Sequence, residues 1–217
     1  KEKESALQHR LNRKTSHLIS SGTAICGGSA IAAVSPAINA SEKDIAVSLG
    51  VVFLLNSIAL IVFPFIGHFL ELSQHDFGLW SAIAIHDTSS VVGAAQSYGD
   101  EALQIATTVK LARALWIIPV TIISIFLFKG KGKGVKIPWF IFLFIAAILV
   151  NSYFNIPDLV SLSIKVSSKS ILVLTLFLIG AGLSVDKIKS AGWKPMILGF
   201  TLWVIISVTS LSIIKMM

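Results

Sequence analysis

Long apolar runs separated by short polar clusters make up most of this chain, and the runs are of bilayer length. A helix needs roughly 17 to 25 mostly apolar residues to cross the hydrocarbon layer. Seven stretches meet or approach that requirement: 18–34, 45–70, 77–96, 103–128, 137–153, 170–185 and 196–214. The first is short and broken by glycines, and the sixth is short. Pro64 and Pro119 are expected to kink the second and fourth runs, because each removes an internal hydrogen bond. Pro138 falls in the first turn of the fifth, where its missing N–H costs nothing. The pattern predicts an all-α polytopic membrane protein, a single transmembrane domain over 1–217 with about seven segments.

Composition agrees. The 217 residues are 54% hydrophobic and only 13% charged, with a mean hydropathy of +0.83. A water-facing surface draws on about a quarter of a chain as charged residues, so lipid is the solvent here. The net charge of +7 raises the question of nucleic acid, but the basic residues flank apolar runs and are not interleaved with aromatics. No nucleic-acid partner is expected. A single cysteine, Cys26, excludes an intramolecular disulfide and a cysteine-based zinc site. The five histidines are scattered and no HExxH pattern occurs, so no metal or other cofactor is expected.

Basic residues also report topology, since cytoplasmic loops carry an excess of Lys and Arg. The loops 1–17, 67–76, 129–136 and 186–194 hold twelve of the eighteen, and the opposite side holds Lys43, Lys165, Lys169 and Lys215. This count places 1–17 and the basic loop 129–137 in the cytoplasm and the C-terminus outside. Its weak member is 67–76, which has no Lys or Arg. The opening Lys1, Glu2, Lys3, Glu4 reads as part of a cytoplasmic loop and not as a signal peptide. The mixed segment 156–169 is expected to lie along the outer interface.

The two remaining basic residues, Lys110 and Arg113, lie within the fourth run, on one helical face. Counting about 1.5 Å per residue from Asp100 puts Lys110 roughly 15 Å deep. A charge there costs at least about 2.5–3.5 kcal/mol, so both must face protein or water. A structural ion pair or snorkelling would meet that need, and so would an anion site. No acidic residue lies within one turn of them, which favours the anion.

The third run, FGLWSAIAIHDTSSVVGAAQSYG, is interrupted midway by His86, Asp87, Thr88, Ser89 and Ser90. Five consecutive polar residues would point in every direction from a continuous helix. An interrupted helix whose freed backbone lines a cavity is the cheaper solution. Asp87 can cap the second half, leaving N–H groups near Ser89 for a ligand. His86 and Asp87 are candidates for a coupling proton relay, against the plainer roles of interhelical hydrogen bonding and capping.

The first run contains SSGTAICGGSAIAAV. Gly22, Gly27 and Gly28 permit the backbone to unwind or approach a neighbour closely. Thr23 and Ser29 add hydroxyls, and the N–H groups around Gly27 and Gly28 can form an anion-binding helix end. The competing reading is helix packing through small residues. Cys26 reads as a packing residue. Asn56 and Asn151 read as hydrogen-bond glue between helices, with Asn56 within reach of the site but not counted in it.

The segments GTAICGGSAIAAVSPAI, FGLWSAIAIHDTSSVVGAAQSYGDEAL, ATTVKLARALWIIPV and GLSVDKIKSAGWKPMILGF together resemble the YeiH-like sulfate exporter family of bacterial inner-membrane proteins. The resemblance runs through nearly the whole chain, in order, and identifies it as similar to the C-terminal two-thirds of a longer transporter. It implies the inverted repeats and broken or re-entrant helices of bile acid and arsenite type secondary carriers, and a sulfate-like substrate.

These readings converge on a secondary transporter for a small anion, sulfate or an organic sulfonate, coupled to protons and located in the bacterial inner membrane. Thr23, Gly27, Gly28, Ser29, Thr88, Ser89, Lys110 and Arg113 are the expected anion-binding residues, with His86 and Asp87 as the relay. The expected partners are the anion, the lipid bilayer and further copies of the chain. The alternatives are a channel, a structural subunit, or an intramembrane enzyme using His86 and Asp87. Adjacent residues on one segment rarely converge on one atom, so no enzymatic activity is expected.

Overall fold

The computed structural model describes residues 12–128 and 192–216, with scattered positions between 143 and 174. The expected runs 137–153 and 170–185 and the basic loop 129–137 lie outside the continuously described residues. The helices are α1 (Arg13–Ala24), α2 (Gly28–Ala37), α3 (Glu42–Phe69), α4 (Gln74–Ala84), α5 (Thr88–Tyr98), α6 (Asp100–Ala114), α7 (Ile117–Phe128) and α8 (Trp193–Ile214). No strand occurs among the described residues.

The first and third apolar runs do not cross. Each folds back as a helical hairpin. At the open end of α1–α2, Asn12 Nδ2 and Thr15 Oγ1 donate to Asp44 Oδ1 at 2.6 and 2.7 Å, and Lys14 Nζ donates to Asn39 O at 2.6 Å. The start of α1, the end of α2 and the start of α3 therefore share one end of the bundle. Asp44 also closes a capping box with Ser41, which fixes where α3 begins.

The α4–α5 hairpin opens at the other end. The Tyr98 ring stacks on Phe77 and on His68, with centroids 3.8 and 4.4 Å apart, and its hydroxyl donates to Leu72 O at 2.6 Å. Gln74 Oε1 accepts from the Glu101 N–H at 3.1 Å. Gly67 is needed here, because a Cβ would stand 2.5 Å from the Phe77 ring. Two of the expected crossings, 18–34 and 77–96, are thus re-entrant. The physical reason is that each has a break near its middle, so neither half is long enough to span alone.

Three helical stretches are long and apolar enough to cross: α3, the α6–α7 pair taken together over Asp100–Phe128, and α8. Pro119 makes itself felt at the α6–α7 junction. It has no N–H for the Leu115 carbonyl, which accepts from Ile118 at 3.3 Å instead, and the turn tightens around Leu115 and Trp116. Pro64, by contrast, lies inside an uninterrupted α3. α7 returns to the end where α1 starts, where His17 Nε2 and Ser124 Oγ are 2.7 Å apart. α8 runs antiparallel to α6–α7, with Gly199 against Val51 and Trp80 Nε1 donating to Ser207 O at 3.0 Å. Phe63 stacks on Trp80 and Trp203, tying α3, α4 and α8 into one core. Phe65, Phe69, Trp116, Phe126 and Val208 face outward, which suits a lipid surrounding.

Hairpin plus crossing helix occurs twice in opposite senses: α1–α2 with α3 from one end, then α4–α5 with α6–α7 from the other. This arrangement changes the charge count. Arg13, Lys14, Lys43 and Lys194 belong to the end where α1 starts, and 67–76, without Lys or Arg, belongs to the opposite end with Lys215. Relative to the start of α1, 67–76 lies at the far end and Lys43 at the near end, each the reverse of what seven crossings require.

Candidate functional site

The two hairpin tips meet inside the bundle. At the first, α1 ends at Ala24, and the Gly27 N–H turns back to Gly22 O at 2.8 Å. Gly27 has φ +63°, a conformation that L side chains resist, and a Cβ there would lie 3.2 Å from the His86 carbonyl oxygen and 3.1 Å from Val52. Both properties of glycine are used at this residue. α2 starts at Gly28 with no side-chain cap. At the second tip, α4 ends at Ala84 and Ile85 is extended. Asp87 then caps α5, its Oδ2 accepting from the Ser90 N–H at 3.1 Å and from the Ser90 hydroxyl at 3.3 Å. The interruption expected at His86–Asp87–Thr88 lies there.

The tips share a sequence pattern that explains their likeness. Ala24-Ile25-Cys26-Gly27-Gly28-Ser29 and Ala84-Ile85-His86-Asp87-Thr88-Ser89 both put Ala-Ile at the C-terminal end of one half-helix and Ser in the first turn of the next. Cys26 and His86 occupy equivalent places.

Lys110 and Arg113 are at this junction, and their protons go to backbone. Lys110, fully buried, donates to Ile85 O at 2.6 Å and Ala82 O at 3.3 Å. Arg113 donates through Nη1 to Ala82 O and Ile83 O at 3.1 and 2.7 Å, and through Nη2 to Ala24 O. The two cations therefore satisfy the orphan carbonyls at the ends of α1 and α4, where the helix dipole is negative. Neither forms an ion pair with a carboxylate among the described residues.

Opposite these cations, α3 contributes Asn56. Its Oδ1 accepts the His86 N–H at 2.9 Å. This is the hydrogen-bond glue expected of Asn56, and it falls at the tip of the second hairpin. The available signal is an amide deep in the long second run. Four buried polar atoms have no hydrogen-bond partner on the tips and α3: Thr23 Oγ1, Asn56 Nδ2, and both ring nitrogens of His86. Gly28, Ser29, Asp87, Thr88, Ser89 and Arg113 are half-buried. All ten residues expected at the site thus lie on the two tips or on the helix facing them. Among the described residues no cluster of His, Cys, Asp and Glu is suited to a metal ion.

The family model described as "Conserved hypothetical protein 698" matches residues 6–199, a range that includes both tips and the helix facing them. The chain belongs to this family. It is 59% identical over 207 residues to a UPF0324 membrane protein of Photobacterium profundum, covering 94% of this chain and 63% of that relative. A UPF0324 membrane protein of Bacteroides thetaiotaomicron is 54% identical, with 94% and 62% covered, and one of Vibrio parahaemolyticus is 58% identical, with 94% and 67% covered. The chain spans a little under two thirds of the length of the first two. No solved structure matches it.

Proposed function

We propose that this chain forms the substrate-holding part of a secondary transporter for a small anion, sulfate or an organic sulfonate, in the bacterial inner membrane. One observation carries this reading: two re-entrant tips from opposite ends meet backbone to backbone at Gly27 and His86. Broken helices inside an apolar bundle are tolerated where their freed groups serve a ligand. The carbonyl ends are neutralised by Lys110 and Arg113, which leaves the positive, N–H-rich start of α2, since α5 is capped by the Asp87 carboxylate. That polarity suits an anion. Movement of one hairpin against the other would expose the junction to each side in turn, with His86 and Asp87 placed to carry a coupling proton. A pore is less well supported, because His86 and Lys110 close the junction with no exposed surface.

The test is flux. Proteoliposomes containing this chain, and in parallel the longer Photobacterium profundum relative, are given a panel of labelled anions across a pH gradient. Saturable sulfate or sulfonate movement that responds to the gradient is expected. If no anion in the panel moves even with the longer relative, the transporter reading fails.

A further inference from the structure

We propose that Asn56 and His86 are the residues that contact the anion, presenting N–H donors to an oxyanion of sulfate size, while Lys110 and Arg113 only position the helix ends. This rests on the anion-transport reading and adds which groups take the ligand.

The carbonyl ends of the half-helices at the junction have named donors. The carbonyl oxygens of Ala24, Ala82, Ile83 and Ile85 all accept from Lys110 or Arg113. Gly22 O accepts from Ile25 and Gly27. These five carbonyl oxygens at the ends of α1 and α4 are thus already engaged. What remains is mostly nitrogen. The His86 backbone N–H can only donate, so the oxygen of Asn56 faces it and the amide NH2 is the free end. Asn56 is 2% exposed and His86 fully buried. A buried amide with one end unpaired is costly in an apolar helix, where leucine would carry no such penalty. The His86 ring carries at least one N–H in any tautomer, and neither nitrogen has a partner.

The start of α2 adds to the same donor set. Gly27 brings this tip against the His86 carbonyl and supplies no side-chain cap, whereas the start of α5 is already capped by the Asp87 carboxylate. Two cations and one carboxylate give the junction a net positive charge. An anion held there would be bound by neutral donors and stabilised at a distance by Lys110 and Arg113, whose hydrogen bonds to the helix ends need not break.

The experiment uses the full chain in lipid nanodiscs and measures binding of labelled sulfate, with hydrogen phosphate as competitor. Asn56→Asp keeps an oxygen to accept from the His86 N–H, so the break is retained, but it puts a carboxylate where the donor was. Sulfate binding should weaken by at least about tenfold, the scale of one hydrogen bond to a charged group. Preference should shift toward hydrogen phosphate, which has a proton to give the new carboxylate. A merely structural role for Asn56 would not produce that shift. As a second pair, His86→Gln retains a donor and should bind sulfate better than His86→Phe. Sulfate binding to Asn56→Asp at the unchanged affinity overturns the assignment and leaves anion transport standing, as does equal loss of sulfate and hydrogen phosphate. An unaltered chain that binds neither sulfate nor any sulfonate overturns the underlying reading as well.

Discussion

Gly27 and His86 touch backbone to backbone across the meeting point of two hairpins that enter the bundle from opposite ends. A Cβ on Gly27 would stand 3.2 Å from the His86 carbonyl oxygen, and the same residue has φ +63°. Its neighbour Gly28 has no such backbone demand, and a Cβ there would meet only side chains, the nearest being the Phe53 ring at 3.1 Å. The pair of glycines therefore separates two roles that the sequence shows as one, since only the first governs how closely the tips approach.

Replacement of the two glycines should accordingly give unequal results. Gly27→Ala is expected to destabilise by about 1–3 kcal/mol through backbone strain alone and to push the tips apart. Gly28→Ala should be milder, because the phenyl ring can shift by a few tenths of an ångström and alanine favours the first turn of α2. Thermal unfolding in detergent, paired with anion flux, checks this. Equal effects at both positions would mean that the contact with His86 does not matter.

Arg113 holds the carbonyl ends of α1 and α4 together with one planar group. Arg113→Lys keeps the charge but cannot reach both helices, since an ammonium lacks the fork. The expected loss is about 2–4 kcal/mol, because hydrogen bonds from a charged donor are worth about 1.5–3 kcal/mol each. Denaturant unfolding measures it. A lysine variant as stable as the parent would show that the bridge between hairpins is not needed.

How much of this is legible in the sequence depends on the scale of the pattern. Five consecutive polar residues and a glycine cluster mark the breaks, because no continuous apolar helix accommodates them, and both breaks lie where those residues predict. Depth along the fourth run places Lys110 and Arg113 near the same level. Hydropathy alone does not distinguish a crossing helix from two half-helices that turn back, since both need an apolar exterior of the same length. The bonds that decide it are long-range, Asn12 and Thr15 to Asp44 and Tyr98 to Leu72. The absence of Lys and Arg from 67–76 carries the same message in the sequence. Nor does a residue's charge reveal whether its protons go to a ligand or to a helix end.

Asp44 should anchor the first hairpin. It is 6% exposed and accepts from Asn12, Thr15, and both the N–H and the hydroxyl of Ser41. Asp44→Ala removes the carboxylate half of the capping box at the start of α3 and strands the hairpin's donors, an expected cost of about 2–3 kcal/mol. Asp44→Asn retains one acceptor and should lose roughly half as much on the same scale. The shift in urea midpoint of each variant gives the comparison. A neutral Asp44→Ala would mean that the open end of α1–α2 is held by packing and not by this carboxylate.

The re-entrant topology makes a prediction opposite to seven crossings. Arg13 and Lys43, both exposed, should lie on one side of the membrane, and Glu71 and Asp100 together on the other. With seven crossings, each of these pairs would be split, because 18–34 would separate Arg13 from Lys43 and 77–96 would separate Glu71 from Asp100. Cys26 is buried, so Cys26→Ala gives a background free of other thiols. Single variants Arg13→Cys, Lys43→Cys, Glu71→Cys and Asp100→Cys are then labelled in oriented vesicles with a membrane-impermeant maleimide. Arg13→Cys and Lys43→Cys should react from the same side, and the other two only from the opposite side. The expectation has an energetic basis. Each half of a broken run is about ten to twelve residues, roughly 15–18 Å of helix at 1.5 Å per residue, which is half the hydrocarbon thickness. A hairpin of two such halves reaches the centre and returns, burying its polar tip against the tip from the other side. Labelling that splits either pair would require a tip to continue through the membrane, and the contact between Gly27 and His86 would then have to break.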